Sequence, residues 1–181
     1  MRIVAGELRG RRLVAPTGDA TRPTTDRVRE AIFNALGSLG VVDGALVADL
    51  YAGSGALGFE ALSRGAEHCT FVERDRAALS AIEANRAGFG LRDRSRVVNG
   101  DPVTMAGGID ADLAFADPPY DFDAWPRLLA ALAPAVGLVV AEASSTIAAP
   151  AGWTTPRTRR YGRTWVTFLQ RDEPADGRPL R

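Results

Sequence analysis

The sequence predicts a doubly wound α/β fold built on a mostly parallel sheet. Three observations predict it. From Ala45 onward, short apolar runs alternate with stretches of helical periodicity, which implies strands joined by right-handed crossovers. Several runs, such as Leu113-Ala114-Phe115-Ala116, are apolar throughout, as strands covered on both faces must be. The first run, Leu46 to Tyr51, leads straight into a glycine-rich turn and a helix pattern, the order of a ligand-binding strand–turn–helix unit.

Taken in order, Arg2–Gly6 and Arg11–Ala15 read as two short strands of a small amino-terminal β-hairpin arm. The linker from Pro16 to Pro23 is rich in turn residues, and Thr24 or Thr25 can cap the helix that follows. That helix would bury Val28, Ile32, Ala35, Leu36 and Leu39 on one face. Strands are expected near 46–51, 69–73, 96–99, 112–116 and 137–142, and helices near 56–64, 75–87 and 124–133. Trp153–Arg159 and Thr164–Gln170, joined by Arg160-Tyr161-Gly162-Arg163, read as a hairpin. The boundaries expected are 1–23 for arm and linker, 24–170 for the main domain and 171–181 for a disordered tail.

With 181 residues and 46% hydrophobic content, the chain suits one globular domain with a real core. No apolar run approaches membrane-spanning length, and the start lacks the apolar core of a signal peptide, so a cytoplasmic protein without a membrane partner is expected. A monomer is the expected state. Cys69 is the only cysteine and His68 the only histidine, so no disulfide and no metal centre is expected. The zero net charge hides an asymmetry: residues 1–29 carry seven arginines against three acids, the rest fifteen against nineteen. There is no lysine, so any phosphate contact would be made by a forked guanidinium.

Two motifs carry chemistry. Gly53-Ser54-Gly55-Ala56-Leu57-Gly58 matches the G-x-G-x-x-G pattern, in which glycines permit a tight turn and close approach to a cofactor. Glu73 ends the next strand, where an acid suits ribose hydroxyls. This pair of features fits any adenosine-containing cofactor, NAD included. Asp49, at the mouth of the turn, would repel a pyrophosphate and suits a cationic cofactor instead. Asp117-Pro118-Pro119-Tyr120 follows the apolar run 113–116, so it sits where a strand opens onto a loop. An exocyclic base amine is a poor nucleophile because its lone pair is delocalised into the ring. A carboxylate and a carbonyl accepting its two N–H groups return that pair to nitrogen. Asp117 can supply the first, Pro118 restricts the backbone that supplies the second, and Tyr120 can stack on the base. Prolines ending a strand and a Tyr covering the core edge explain the tetrapeptide equally well.

Asp49 to Gly58 resembles the first motif of S-adenosylmethionine-dependent methyltransferases, and Asp117 to Tyr120 resembles the motif of those that act on base amines. Together with Arg22-Pro-Thr-Thr-Asp-Arg-Val-Arg-Glu30, they make the chain, from Arg2 to about Gln170, resemble the small-subunit ribosomal RNA guanine-N2 methyltransferase D family. The resemblance implies a seven-stranded Rossmann-like methyltransferase sheet with a carboxy-terminal antiparallel hairpin strand. It implies guanine-N2 methylation of 16S ribosomal RNA, within a partly assembled small subunit, with S-adenosylmethionine as cofactor. Asp117, Pro118, Pro119 and Tyr120 would form the catalytic motif. Asp49 would face the cofactor's ammonium, Gly53, Gly55 and Gly58 would admit its approach, and Glu73 would hold its ribose. Asp101 would meet the adenine amine or cap a helix, and Arg22 and Thr24 would meet the carboxylate at a helix start. Arg9, Arg11, Arg12, Arg27, Arg29, Arg160 and Arg163 are the expected RNA contacts. Three rivals stay open on the residues alone: an NAD enzyme, a DNA or RNA adenine-N6 or cytosine-N4 methyltransferase, and a non-catalytic RNA-binding module.

Overall fold

A computed structural model describes residues 1–17 and 26–172. The expected capping threonines, Arg22, Thr24 and the tail beyond Asp172 lie outside the described residues. The chain runs α1 (Asp26–Leu39), β1 (Leu46–Leu50), α2 (Ala56–Ser63), β2 (His68–Glu73), α3 (Arg76–Phe89), β3 (Ser95–Asn99), α4 (Pro102–Met105), β4 (Leu113–Ala116), α5 (Trp125–Leu132), β5 (Leu138–Ala143), β6 (Trp153–Tyr161) and β7 (Thr164–Arg171). The seven strands form one sheet in the order β3-β2-β1-β4-β5-β7-β6. The first five pair in parallel, and β7 runs antiparallel to both β5 and β6.

Why these strands are apolar on both faces follows from what covers them. Val47, Phe71, Leu113, Phe115, Leu138 and Val140 share one core with α1 and α2 residues such as Ile32, Phe33, Phe59 and Leu62. The alternate positions Ala48, Leu50, Ala114, Ala116, Val139 and Ala141 share the other with Leu128, Leu129 and Leu132 of α5. Strand order reverses between β1 and β4, so their carboxyl ends flank a crevice, the usual ligand position in an open α/β sheet. No helix among the described residues is long and apolar enough to cross a membrane.

The arm folds back on itself as a hairpin, with Arg2 and Arg12 in an antiparallel bridge, although its halves are too short to form full strands. The two halves pair, with Ile3 N–H donating to the Arg11 carbonyl (3.0 Å), Gly10 N–H to that of Ile3 (2.9 Å) and Leu13 N–H to that of Met1 (3.2 Å), and the domain accepts from further N–H groups of the arm. Val4 and Ala5 donate to the Glu60 carboxylate (2.7 and 3.0 Å), Leu8 to Ser63 Oγ (3.0 Å), and Val14 to Asn85 Oδ1 (2.8 Å). Ile3, Leu8 and Leu13 are buried beneath it. Gly6 is required there: at φ +83° it lies so close to Ser63 that an added Cβ would stand 1.7 Å from the Ser63 carbonyl oxygen. In α1, Leu39, the last residue of the helix, is 59% exposed and not part of the buried face. The carboxy-terminal hairpin forms with β6 parallel to β5, so its turn at Gly162 and Arg163 lies at the carboxyl edge. β7 extends to Arg171, which pairs with Trp153 and donates to the Ala133 carbonyl.

Candidate active site

The turn after β1 is built by unusual backbone. Tyr51 adopts φ +58°, a left-handed conformation rare without glycine, and Gly53 and Gly55 follow at +56° and +78°. The Ala52 N–H stays tied to Val72 (3.2 Å) and the Gly55 N–H to Ala52 (2.7 Å), so the chain turns sharply into α2. The Gly53 N–H donates to Glu73 Oε2 (2.9 Å), and the Gly58 N–H donates to Asp49 Oδ2 (2.8 Å). Two acids thus fix the turn from below and from the side. Tyr51 also meets Phe122 edge-on at 5.5 Å, and Phe122 meets Trp125 at 4.9 Å. These ring contacts tie the turn to the loop after β4.

The three glycines do different things. Gly53 lines the crevice. Gly55 and Gly58 face protein instead: a Cβ on Gly55 would stand 2.6 Å from the Phe59 ring, and one on Gly58 2.4 Å from the Phe71 ring. At both positions the lack of a side chain permits the close packing of α2 on β2.

A cavity of about 1120 Å³ occupies the crevice. It gathers Asp49, Gly53, Glu73 and Asp117 to Tyr120, together with Arg27, Arg160 and Arg163 at the rim. Asp117 is half-buried, Pro118 buried, and Tyr120 49% exposed, with its hydroxyl 3.4 Å from Thr164 Oγ1. Asp49 is buried, and removal from water pushes its carboxyl up to about 8. The Gly58 N–H opposes that shift, while the Asp117 and Glu73 charges add to it. Glu73 already accepts three backbone N–H groups, from Gly53, Arg74 and Asp75, which leaves about one lone pair for a hydroxyl. Burial, with Asp101 nearby, pushes the Tyr51 hydroxyl up to about 12, so it stays protonated and able to donate.

Several expected site residues are elsewhere. Asp101 is the amino-terminal cap of α4, accepting from Thr104 N at 3.2 Å and pairing with Arg74 at 3.6 Å, and it does not line the cavity. Arg29 is not an RNA contact: it is fully buried, bonded to Asp26 (2.9 Å) and to the Arg2 carbonyl and facing Glu60 at 3.5 Å. It sits on the apolar stripe of α1, three and four residues before Ile32 and Phe33. Arg11 is spoken for, donating to the Gly88 carbonyl (2.5 Å) over the Phe89 ring. Arg9 and Arg12 are exposed but lie outside the cavity lining. Among the described residues there is no group of acids, His and Cys able to hold a metal.

Sequence reasoning missed Glu142, a buried acid on β5 that lines the same cavity as Asp117. The signal was present, since an acid interrupts the apolar run Leu138–Ala143. It also passed over Tyr51, whose left-handed backbone no propensity rule announces.

Comparison with known proteins agrees with this geometry. The family described as Conserved hypothetical protein 95 matches residues 1–170. The chain is 43% identical over 125 residues to the protein named Putative rRNA methyltransferase YlbH of Bacillus subtilis, a match covering 66% of this chain and 67% of that one. It is 43% identical over 122 residues to Ribosomal RNA small subunit methyltransferase D of Escherichia coli K12, covering 66% of this chain and 60% of the relative, less than two thirds of its length. The solved structure described as putative methyltransferase yhhF from Escherichia coli superposes with a TM-score of 0.84 at 35% identity, covering 95% of this chain and 98% of that chain. A sheet that turns at β1 and β4, with an acid-lined crevice between them, is therefore carried by a chain that belongs to the ribosomal RNA small subunit methyltransferase D family.

Proposed function

We propose that this protein, acting as a monomer, transfers a methyl group from S-adenosylmethionine to the exocyclic N2 of a guanine in small-subunit ribosomal RNA, within a partly assembled subunit. One observation carries the reading. The glycine turn with Asp49 and Glu73, and the Asp117-Pro-Pro-Tyr loop, meet in one cavity although 58 residues lie between Gly58 and Asp117. The names of the relatives support ribosomal RNA as substrate, and the family resemblance supports the guanine amine.

The residues present fit a cationic cofactor. Asp49, desolvated and raised to about 8 beside Asp117 and Glu73, gains from any positive charge that enters. Gly53 gives backbone access, and Glu73 and Asp75 stand where a ribose would be held. When bound, S-adenosylmethionine supplies a methyl carbon on a positively charged sulfur, which leaves as a neutral thioether.

The protein's own part is positioning and polarisation. Asp117 accepts one amine N–H and draws electron density back to nitrogen. The Pro119 carbonyl closes a turn by accepting from Phe122 N (3.0 Å), so the second acceptor is assigned to the Pro118 carbonyl. The proton lost from nitrogen passes to Asp117 and on to water. Tyr120, half exposed at the rim, offers a stacking face, and the base must leave its own stack to reach it. Arg27, Arg160 and Arg163 lie where phosphates of the flanking strand would pass.

The test is tritiated methyl transfer from S-adenosylmethionine to free ribosomal RNA and to partly assembled small subunits, both from a deletion strain, followed by nucleoside analysis. The expected label is N2-methylguanosine, strongest on the assembly intermediate. Label in N6-methyladenosine or N4-methylcytidine, or none in RNA, overturns the reading.

A further inference from the structure

We infer that Glu142 makes the site choose guanine, accepting the ring N1–H while Asp117 accepts from the amine. The inference rests on the guanine-amine reading above and deepens it.

Asp117 alone cannot identify a base. Adenine, cytosine and guanine all offer an exocyclic amine, and one carboxylate accepts equally from each. They differ beside the amine. Adenine and cytosine carry a ring nitrogen lone pair there, whereas guanine carries N1–H, so its edge presents three donated hydrogens in a row. A site that reads guanine needs a second acceptor next to the first. A second carboxylate does more, since it repels the lone pair of either rival.

The sheet supplies that second carboxylate. The β4–β5 ladder ends at Ala116 paired with Ala141, so Asp117, just past the end of β4, and Glu142 of β5 are the next residues along the two segments. Parallel neighbours lie about 4.8 Å apart, close enough for two carboxyl groups to face one base edge. Strand alternation puts both on one face. Leu113 and Phe115, with Leu138 and Val140, belong to the α1–α2 core, and Asp117 and Glu142 continue those two rows. Asp49, paired with Phe115, lies on the same face one strand over. Three strands thus present a row of acids, with Asp49 nearest the cofactor turn and Glu142 farthest from it.

Glu142 is also placed for a base and not for solvent. It is only 5% exposed, on a strand whose other residues from Leu138 to Ala141 are apolar and buried. It lines the main cavity and also a small pocket of about 70 Å³ beneath Pro118, Pro119 and Tyr120. A carboxylate on the cavity wall has several lone-pair sites and can accept an N–H from a base edge that enters the cavity.

The experiment compares two substrates on one enzyme preparation. Once the methylated nucleotide is mapped, small subunits are reconstituted with RNA carrying either guanosine or 2-aminopurine riboside at that position. 2-Aminopurine keeps the amine at C2 but has a lone pair at N1. Wild-type protein is expected to prefer guanosine in kcat/KM by at least tenfold. Glu142→Gln keeps S-adenosylmethionine affinity, loses at least tenfold on guanosine, and gains relative activity on 2-aminopurine, because its amide donates to N1. The ratio does not depend on the active fraction, so partial misfolding cannot imitate the change. If Glu142→Gln is inactive on both, Glu142→Asp decides: a relaxed guanosine preference, as the shortened carboxylate withdraws from N1–H, supports the inference, and an unchanged one overturns it. An unchanged ratio in an active Glu142→Gln overturns the role of Glu142 and leaves guanine methylation standing. A wild type that methylates guanosine without preferring it over 2-aminopurine does the same. A wild type that methylates no guanine amine overturns both.

Discussion

Glu60 and Asp49 are both carboxylates removed from water, and the molecule treats them in opposite ways. Glu60, fully buried on α2, faces two guanidinium groups, Arg64 at 2.8 Å and Arg29 at 3.5 Å, and accepts from Val4 and Ala5 of the arm. Asp49, buried on β1, accepts from the Gly58 N–H, and the charges acting on it are those of Asp117 and Glu73. The first acid is neutralised within the fold and joins three segments of chain. The second is left among like charges, a state that favours a cation brought from outside. Burial of charge alone does not mark a functional site; the sign of the neighbouring charges does.

Breaking the first cluster should have the largest effect on stability. Glu60→Ala leaves Arg29 buried, with Asp26 its remaining acidic partner and with Nε and Nη1 already lacking hydrogen bonds. Loss of about 3–5 kcal/mol is expected in urea unfolding, because a buried guanidinium loses its buried carboxylate and keeps only a partner at the surface. Adding Arg29→Met to Glu60→Leu should recover much of it. A loss below about 1 kcal/mol in Glu60→Ala would mean that the cluster is incidental to the fold.

The site acids should behave differently. Asp117→Ala should keep the melting temperature and cofactor affinity while methyl transfer falls about 10²–10⁴-fold, the range for a positioned proton acceptor. Full activity would remove the polarisation mechanism. Tyr120→Ala should weaken RNA engagement by about 1–3 kcal/mol, with Tyr120→Phe milder because a stacking face remains.

For Asp49 the pH sign can be worked out. The folded carboxyl titrates near 8 and the unfolded one near 3.8, so the folded state holds the extra proton between those values. Stability therefore falls as pH rises from about 4 toward 8, and Asp49→Asn should remove that fall and stabilise the apo protein by a few kcal/mol at neutral pH. A cationic cofactor favours the ionised form. Its affinity should rise with pH up to about 8, with up to one proton released per cofactor bound near neutrality. Calorimetry in buffers of different ionisation enthalpy measures that proton. Binding without proton release, or an Asp49→Asn variant with the wild-type pH profile, would assign the cation to another acid.

Much of the fold and part of the site were legible in the residues. The sheet was, because strands covered on both faces are apolar throughout and the crossover helices carry a clear period. The place of Asp117 and Asp49 on one cavity was, because each lies at or near the carboxyl end of an apolar run that reads as a strand. The docking of the arm was not. Its two runs pair with each other as their pattern suggests, but they also bond to Glu60, Ser63 and Asn85, some 55 to 71 residues away in sequence. Arg29 was misread through its neighbours: inside a run of arginines it looked like surface, although its spacing to Ile32, Phe33 and Leu36 already placed it on the buried stripe. Asp101 illustrates a residue with two readings, of which the structure displays the cap on α4.

The smallest expected effect, and the sharpest test of where RNA is held, concerns the arginines that remain exposed. The arm cannot be deleted to test it. Removing residues 1–15 would take the partners of Glu60 and Asn85 with it and strip Met1 and Ala15 from the cavity wall. Point changes avoid this. Arg9 and Arg12 are exposed on the arm, while Arg160 and Arg163 lie at the cavity rim beside Tyr120. If each contacts a phosphate, replacing a pair by Gln weakens RNA binding and flattens its salt dependence by about 0.7–0.9 in slope per lost contact. The two pairs should then separate in kinetics. Loss at the rim misplaces the nucleotide being methylated and lowers kcat, whereas loss on the distant arm weakens the grip and raises KM alone. An unchanged salt slope in Arg9→Gln/Arg12→Gln would confine the RNA to the carboxyl edge and leave the arm a purely structural strap.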